Sequence, residues 1–144
     1  MRERQIKALI AKRLKDEGFS FPDVRYGSQR GIDIETRHPD TNTPIYMEIK
    51  GERTGGNESA MARAAVGESL FQILSVYDGL SLCVLVFPKT QRFINLVNRV
   101  RTPLSKLKIH ILFVEEVGIW HLSPDSIMPY PQKIATLREA LKNG

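Results

Sequence analysis

Ile6, Leu9, Ile10 and Leu14 recur at helical spacing, which predicts an amphipathic helix from about Arg2 to Glu17, stopped by Gly18. Its opposite face carries Arg4, Lys7, Lys12 and Lys15, which are expected to face away from the core. Val24-Arg25-Tyr26 reads as a short strand, and 27–31 as a loop. Ile32-Asp33-Ile34-Glu35-Thr36 alternates, and so does Ile45-Tyr46-Met47-Glu48-Ile49-Lys50. The turn formers from His38 to Pro44 lie between them, so the pair predicts a β-hairpin with a long loop. Asn57 is a natural N-cap for a helix reaching about Tyr77, where Asp78-Gly79 stops it.

Leu80 to Phe87 is a continuous apolar run, as expected of a strand covered on both faces. Phe93, Ile94, Val97 and Val100 predict another helix, ended by Thr102-Pro103. Lys108 to Val114 reads as a strand and Val117 to Leu122 as an edge strand. Ser123 to Pro131 reads as a loop, and Ile134, Leu137 and Leu141 as a terminal helix. A strand, a long helix and another strand imply a crossover with parallel pairing. The fold class expected is α/β, a three-layer α/β/α sandwich on a mixed central sheet.

Composition narrows the class. The chain has 144 residues with a formal net charge of +5, and 42% of its residues are hydrophobic. That length suits one domain spanning 1–144, with a core over about 1–88 and appended elements over 89–144. The hydrophobic content excludes wholesale disorder. The one cysteine, Cys83, excludes an intramolecular disulfide and reads as a buried thiol within its apolar run. No stretch approaches membrane-spanning length and Arg2 onward shows no signal pattern, so a cytoplasmic protein is expected. The basic excess is compatible with a nucleic-acid partner.

The hairpin carries an anomaly. One face of the second strand is Ile45, Met47 and Ile49, and the other is Tyr46, Glu48 and Lys50. Ile32 and Ile34 are expected on one face of the first strand, with Asp33 and Glu35 on the other. Pairing the strands brings Asp33 beside Glu48, with Lys50 two residues on. Two converging carboxylates repel unless a cation neutralises them, and Mg²⁺ suits one or two carboxylates. Lys50 can then orient or help deprotonate a metal-bound water. The plain alternative is a solvated hairpin face with exposed ion pairs.

Gly31-Ile32-Asp33-Ile34, Met47-Glu48-Ile49-Lys50-Gly51 and the element order over about Arg2 to Pro88 resemble the PD-(D/E)XK nuclease superfamily, the restriction-endonuclease-like fold. The resemblance implies that Asp33 and Glu48 hold Mg²⁺, with Mn²⁺ substituting, and that Lys50 assists the attacking water. It implies an endonuclease hydrolysing DNA phosphodiesters, with a catalytically inactive nucleic-acid-binding module and a Holliday junction resolvase as alternatives. Ile32 stands where the motif has proline. The literal Pro22-Asp23 lies at a turn, so Asp33 is preferred.

Further residues follow. Glu3 projects from the apolar side of the first helix, and the resemblance implies a glutamate there near the metal, against a frayed-end alternative. Gln72, four residues after Glu68, loosely matches a glutamine that orients water or substrate. Ser28, Gln29 and Arg30 precede Asp33 and can grip a phosphate, and Arg53 borders the other side. Arg99 and Arg101, with Lys106 and Lys108, form a second basic cluster, either a DNA surface or a solvated face. His38, His110 and His121 show no metal-ligand spacing. A homodimer is expected on duplex or branched DNA, because a two-fold pair of sites matches antiparallel strands. Ile109, Ile111, Phe113, Ile119 and Trp120 either form its interface or extend the core.

Overall fold

The computed structural model describes residues 1–20, 22–26 and 31–142. The helices are α1 (Glu3–Asp16), α2 (Glu58–Val76), α3 (Gln91–Asn98), α4 (Arg101–Lys106) and α5 (Leu137–Ala140). The strands are β1 (Asp23–Val24), β2 (Ile34–Arg37), β3 (Pro44–Ile49), β4 (Leu82–Pro88), β5 (His110–Glu115), β6 (Gly118–Leu122) and β7 (Gln132–Lys133). They form one mixed seven-stranded sheet whose spatial order is the chain order, β1 to β7. β3, β4 and β5 are parallel neighbours, and the outer pairs on both sides are antiparallel. The crossover expected between the hairpin and the apolar run is α2, and α3 with α4 makes a second one.

Local chemistry places the ends. Asn57 caps α2 by accepting from Ala60 N at 3.1 Å, and Thr90 caps α3 by accepting from Phe93 N at 3.3 Å. Gly18 closes α1 with φ +82°, a conformation that favours glycine. Thr102-Pro103 ends no helix. Pro103 sits in the first turn of α4, where its missing N–H costs little.

Two apolar clusters lie on the sheet. Ile6, Ile10 and Leu14 of α1 and Leu137 of α5 pack with Ile34, Ile45, Met47 and Ile49. Ala65, Val66 and Ile73 of α2 pack with Phe93, Val97 and Leu104 of α3 and α4, and with Leu85, Phe87, Ile111 and Phe113. β4 is buried along its whole length, as its unbroken apolar run requires. Ile109, Ile111, Phe113 and Ile119 are buried core and offer no interface, while half-buried Trp120 lies under Lys89 Nζ at 4.6 Å. Cys83 is buried, and burial pushes its thiol up to about 11.

The histidines serve the fold. His38 Nε2 meets the Arg138 carbonyl at 2.7 Å and ties the hairpin loop to α5. His110 Nδ1 and His121 Nε2 are 2.9 Å apart with stacked rings, and burial lowers His121 to about 4. No helix among the described residues is long and apolar enough to cross a membrane.

Candidate active site

The site forms where two paired strands part. β2 and β3 pair from Arg37 opposite Pro44 to Ile34 opposite Met47. At the next step the ladder gives way to side chains. Asp33 Oδ2 accepts from Ile49 N at 2.8 Å, and Glu48 Oε1 accepts from Asp33 N at 3.3 Å. The two carboxylates thereby satisfy backbone donors that the parted strands would leave unpaired. Ile32 and Ile34 consequently lie in opposite clusters, not on the shared face that simple alternation predicts. Arg25 fastens the parted chain, with its N–H donating to the Asp33 carbonyl at 2.8 Å and Nη1 to the Ile32 carbonyl at 2.8 Å. Asp23 pairs across β1 with Glu35 and holds Arg25 at 3.1 Å, away from Glu48. Asp33, not Asp23, is the carboxylate beside Glu48.

Glu48 is only 4% exposed. Burial, then the neighbouring Asp33 carboxylate, push its carboxyl up to about 8. Lys50 Nζ lies 3.9 Å from Glu48 Oε2 and 3.2 Å from Glu68 Oε2 on α2. Arg53 Nη2 donates to Glu68 at 2.7 Å, and this guanidinium, with Lys50, holds Glu68 below its ordinary value. A chain of alternating charge thus runs from the strand ends to α2 through Glu48, Lys50, Glu68 and Arg53.

Lys7 departs most from the sequence reading. It does not face solvent with Lys12 and Lys15, but is 3% exposed and turned into the site. Its Nζ sits 2.9 Å from Asp33 Oδ1, donates to the Arg25 carbonyl at 2.7 Å and lies 3.6 Å from Glu3 Oε2. One signal was available. Lys7 directly follows buried Ile6 and stands three before Ile10, on the shoulder of the apolar stripe.

Glu3 reaches the cluster's edge through Lys7, half-exposed. Its backbone is held there by Gly51. A Cβ on Gly51 would overlap the main chain of Arg2 and Glu3, so glycine lets α1 dock against the end of β3. Glu52 N donates to the Met1 carbonyl at 2.9 Å and seals the contact.

The remaining expected residues divide. Gln72 is exposed on α2, one turn beyond Glu68, and among the described residues it shares no hydrogen bond with Asp33, Glu48 or Lys50. Ser28, Gln29 and Arg30 lie outside the described residues. Arg53 lines a cleft of about 300 Å³ beside Gly51, with Glu58, Thr90, Arg92 and Phe93. Arg99 is exposed beyond the far end of α3 from that cleft. Arg101 is not a free surface cation. It is half-buried, and its Nη2 donates to the carbonyls of Ser123 and Ser126 at 3.3 and 3.1 Å. It ties down the loop after β6.

Asp33 and Glu48 suit a hard divalent cation. Their mutual repulsion is the strain that a cation relieves, and Mg²⁺ needs only one or two carboxylates, completing its shell with water and phosphate oxygens. Among the described residues no group of three or more histidine, cysteine or carboxylate side chains is placed to hold a metal. No protein-family model, curated protein or solved structure matches the chain.

Proposed function

We propose that this chain is a metal-dependent endonuclease with a restriction-endonuclease-like core, hydrolysing DNA phosphodiesters. The observation that carries the reading is the Asp33–Glu48 pair. Two carboxylates meet at parted strand ends, one of them raised to about 8, with Lys50 beside them. A carboxyl shifted by both burial and a specific charged neighbour is the kind of group that marks a functional site.

Asp33 and Glu48 would hold the ion. When bound, Mg²⁺ or Mn²⁺ would supply Lewis-acid stabilisation for a scissile phosphate and would make water more acidic. Lys50 presents an ammonium between Glu48 and Glu68, where it can orient the attacking water and hold a proton. Glu68 and Arg53 restrain Lys50, and Glu3 with Lys7 restrains Asp33. The cleft beside Gly51 has Arg53 and Arg92 on its walls, each paired with a glutamate (Glu68 and Glu58), so a phosphate backbone there would take these guanidinium groups in exchange for those pairs.

A second reading rests on Lys7. Its ammonium already neutralises Asp33 at 2.9 Å, which suits a nucleic-acid-binding module that needs no metal. A metal-titrated cleavage assay separates the two. Supercoiled, linear, single-stranded and four-way-junction DNA are incubated with Mg²⁺ or Mn²⁺, alongside Asp33→Ala and Glu48→Ala. Cleavage that requires metal and both carboxylates is expected. Cleavage in excess chelator, or none with any substrate despite DNA binding, removes the nuclease reading. A preference for the junction would assign a resolvase-type enzyme.

A further inference from the structure

Lys7 reaches two carboxylates from one place. Its Nζ stands 2.9 Å from Asp33 Oδ1 and 3.6 Å from Glu3 Oε2, and it donates to the Arg25 carbonyl at 2.7 Å. The lysine side chain is 4% exposed, so water is a poor alternative partner. A buried ammonium has to stay paired. Whatever draws Lys7 off Asp33 must therefore hand it to Glu3, the other carboxylate within reach.

The two carboxylates are held differently. Asp33 is fixed at both ends, with Oδ2 accepting from Ile49 N at 2.8 Å and Oδ1 turned to Lys7. The Glu3 side chain is half-exposed, and its ion pair among the described residues is the longer one with Lys7. The spacing is that of a helical i, i+4 pair with the acid on the N-terminal side, which is the favourable order. Gly51 fixes where Glu3 stands. The first turn of α1 docks so closely there that a Cβ on residue 51 would overlap its main chain.

We propose that Lys7 is a resident cation on Asp33 which a divalent cation displaces, and that Glu3 is the acceptor that receives the ammonium. The inference rests on the metal-dependent reading above, and it gives Glu3 a role other than that of ligand. A dication on Asp33 and an ammonium beside the same carboxylate repel each other at short range. Movement of Nζ towards Glu3 lowers that repulsion and keeps the buried charge paired. Both are thus positioning residues. Lys7 weakens the hold of the site on a cation, and Glu3 offsets part of that weakening. Without metal, the same lysine keeps Asp33 compensated, so α1 packs on the parted strands before any ion is bound.

A ligand and an acceptor couple differently to residue 7. A ligand matters whatever stands there. An acceptor matters only while the lysine is present.

Calorimetric titration of the full chain with Mn²⁺, free of DNA, tests this. Asp33→Asn identifies the site, because the binding it removes is the binding to be compared. Lys7→Met is expected to tighten that binding by about tenfold, and Glu3→Gln to weaken it by about fivefold. The double variant should bind as tightly as Lys7→Met alone. Binding by Lys7→Met no tighter than wild type overturns the proposal. So does a Glu3→Gln effect of equal size in both backgrounds, which would make Glu3 a ligand. Should Lys7→Met fail to fold, the wild type decides. The ammonium nitrogen resonance of Lys7 should shift as Mg²⁺ is added, and a resonance unmoved once the Asp33-dependent site is full overturns the proposal. Mn²⁺ bound by neither wild type nor any variant removes the metal-dependent reading and this inference with it. Mn²⁺ bound through Asp33 but indifferent to Lys7 removes this inference alone.

Discussion

Lys7 Nζ stands 2.9 Å from Asp33 Oδ1, an ion pair between the first helix and the residue where two strands part. The lysine side chain is 4% exposed and the aspartate 15%, so the pair is largely desolvated. It makes α1 part of the candidate site as well as a cover for the sheet.

Removing the ammonium should leave Asp33 without its counter-ion at 2.9 Å, while Lys50 still stands 3.9 Å from Glu48. Lys7→Met is expected to cost about 3–5 kcal/mol, the usual penalty for breaking a buried pair from one side. Divalent cations bound to the folded state should restore part of the loss. Thermal melts with and without Mn²⁺ check this, and an equal melting temperature in both buffers would count against a metal at Asp33.

Glu48 should give the metal-free protein an unusual pH dependence. Its folded value of about 8 lies above the ordinary 4.5, so the folded state keeps a proton that the unfolded chain releases between those values. Stability from this group is therefore greatest below about pH 4.5, falls as pH rises through the window, and is flat above about 8. The whole effect is roughly a few kcal/mol. Glu48→Gln, which stays neutral, should flatten that slope and raise stability at pH 8 relative to wild type. Urea titrations at several pH values read it directly.

Gly51→Ala should lower stability by about 1–3 kcal/mol or more, because its methyl group meets the main chain of Arg2 and Glu3. The start of α1 must then move, carrying Glu3 and Lys7 from Asp33. If the nuclease reading holds, cleavage should fall further than the loss of folded protein explains. Hydrogen exchange should show faster opening at α1 than at β4 and β5.

The two arginines of the second basic cluster should behave differently. Arg101→Met removes the donor to the carbonyls of Ser123 and Ser126 and is expected to lower the melting temperature. Arg99→Met should leave folding unchanged. If Arg99 touches a phosphate, its loss also reduces the log–log salt slope of DNA binding by about one. An unchanged slope would exclude Arg99 from the footprint.

Much of the fold was legible without coordinates. The helical stripe of Ile6, Ile10 and Leu14, the alternation from Ile45 to Lys50, the Asn57 cap and the apolar run around Val84 each encode their own element. They do so because period and capping are local properties of the chain. The proximity of Asp33 and Glu48 was also legible, since hairpin pairing brings opposite residues together. The helix built on Pro103 was missed because proline is a breaker inside a helix but acceptable in its first turn.

What tertiary structure decided concerns contacts between elements distant in sequence. That Lys7 is buried depends on a carboxylate 26 residues away and on the carbonyl of Arg25, neither visible in the α1 repeat. That Ile32 and Ile34 point into different clusters depends on the strands parting at Asp33, where side chains replace ladder hydrogen bonds. That Arg101 is spent on a loop, and that Phe71 is left outside, depends on which surfaces the sheet and helices happened to cover. Periodicity states which residues seek burial. Only packing determines which of them obtain it, because burial and charge pairing are properties of the neighbours that the fold supplies.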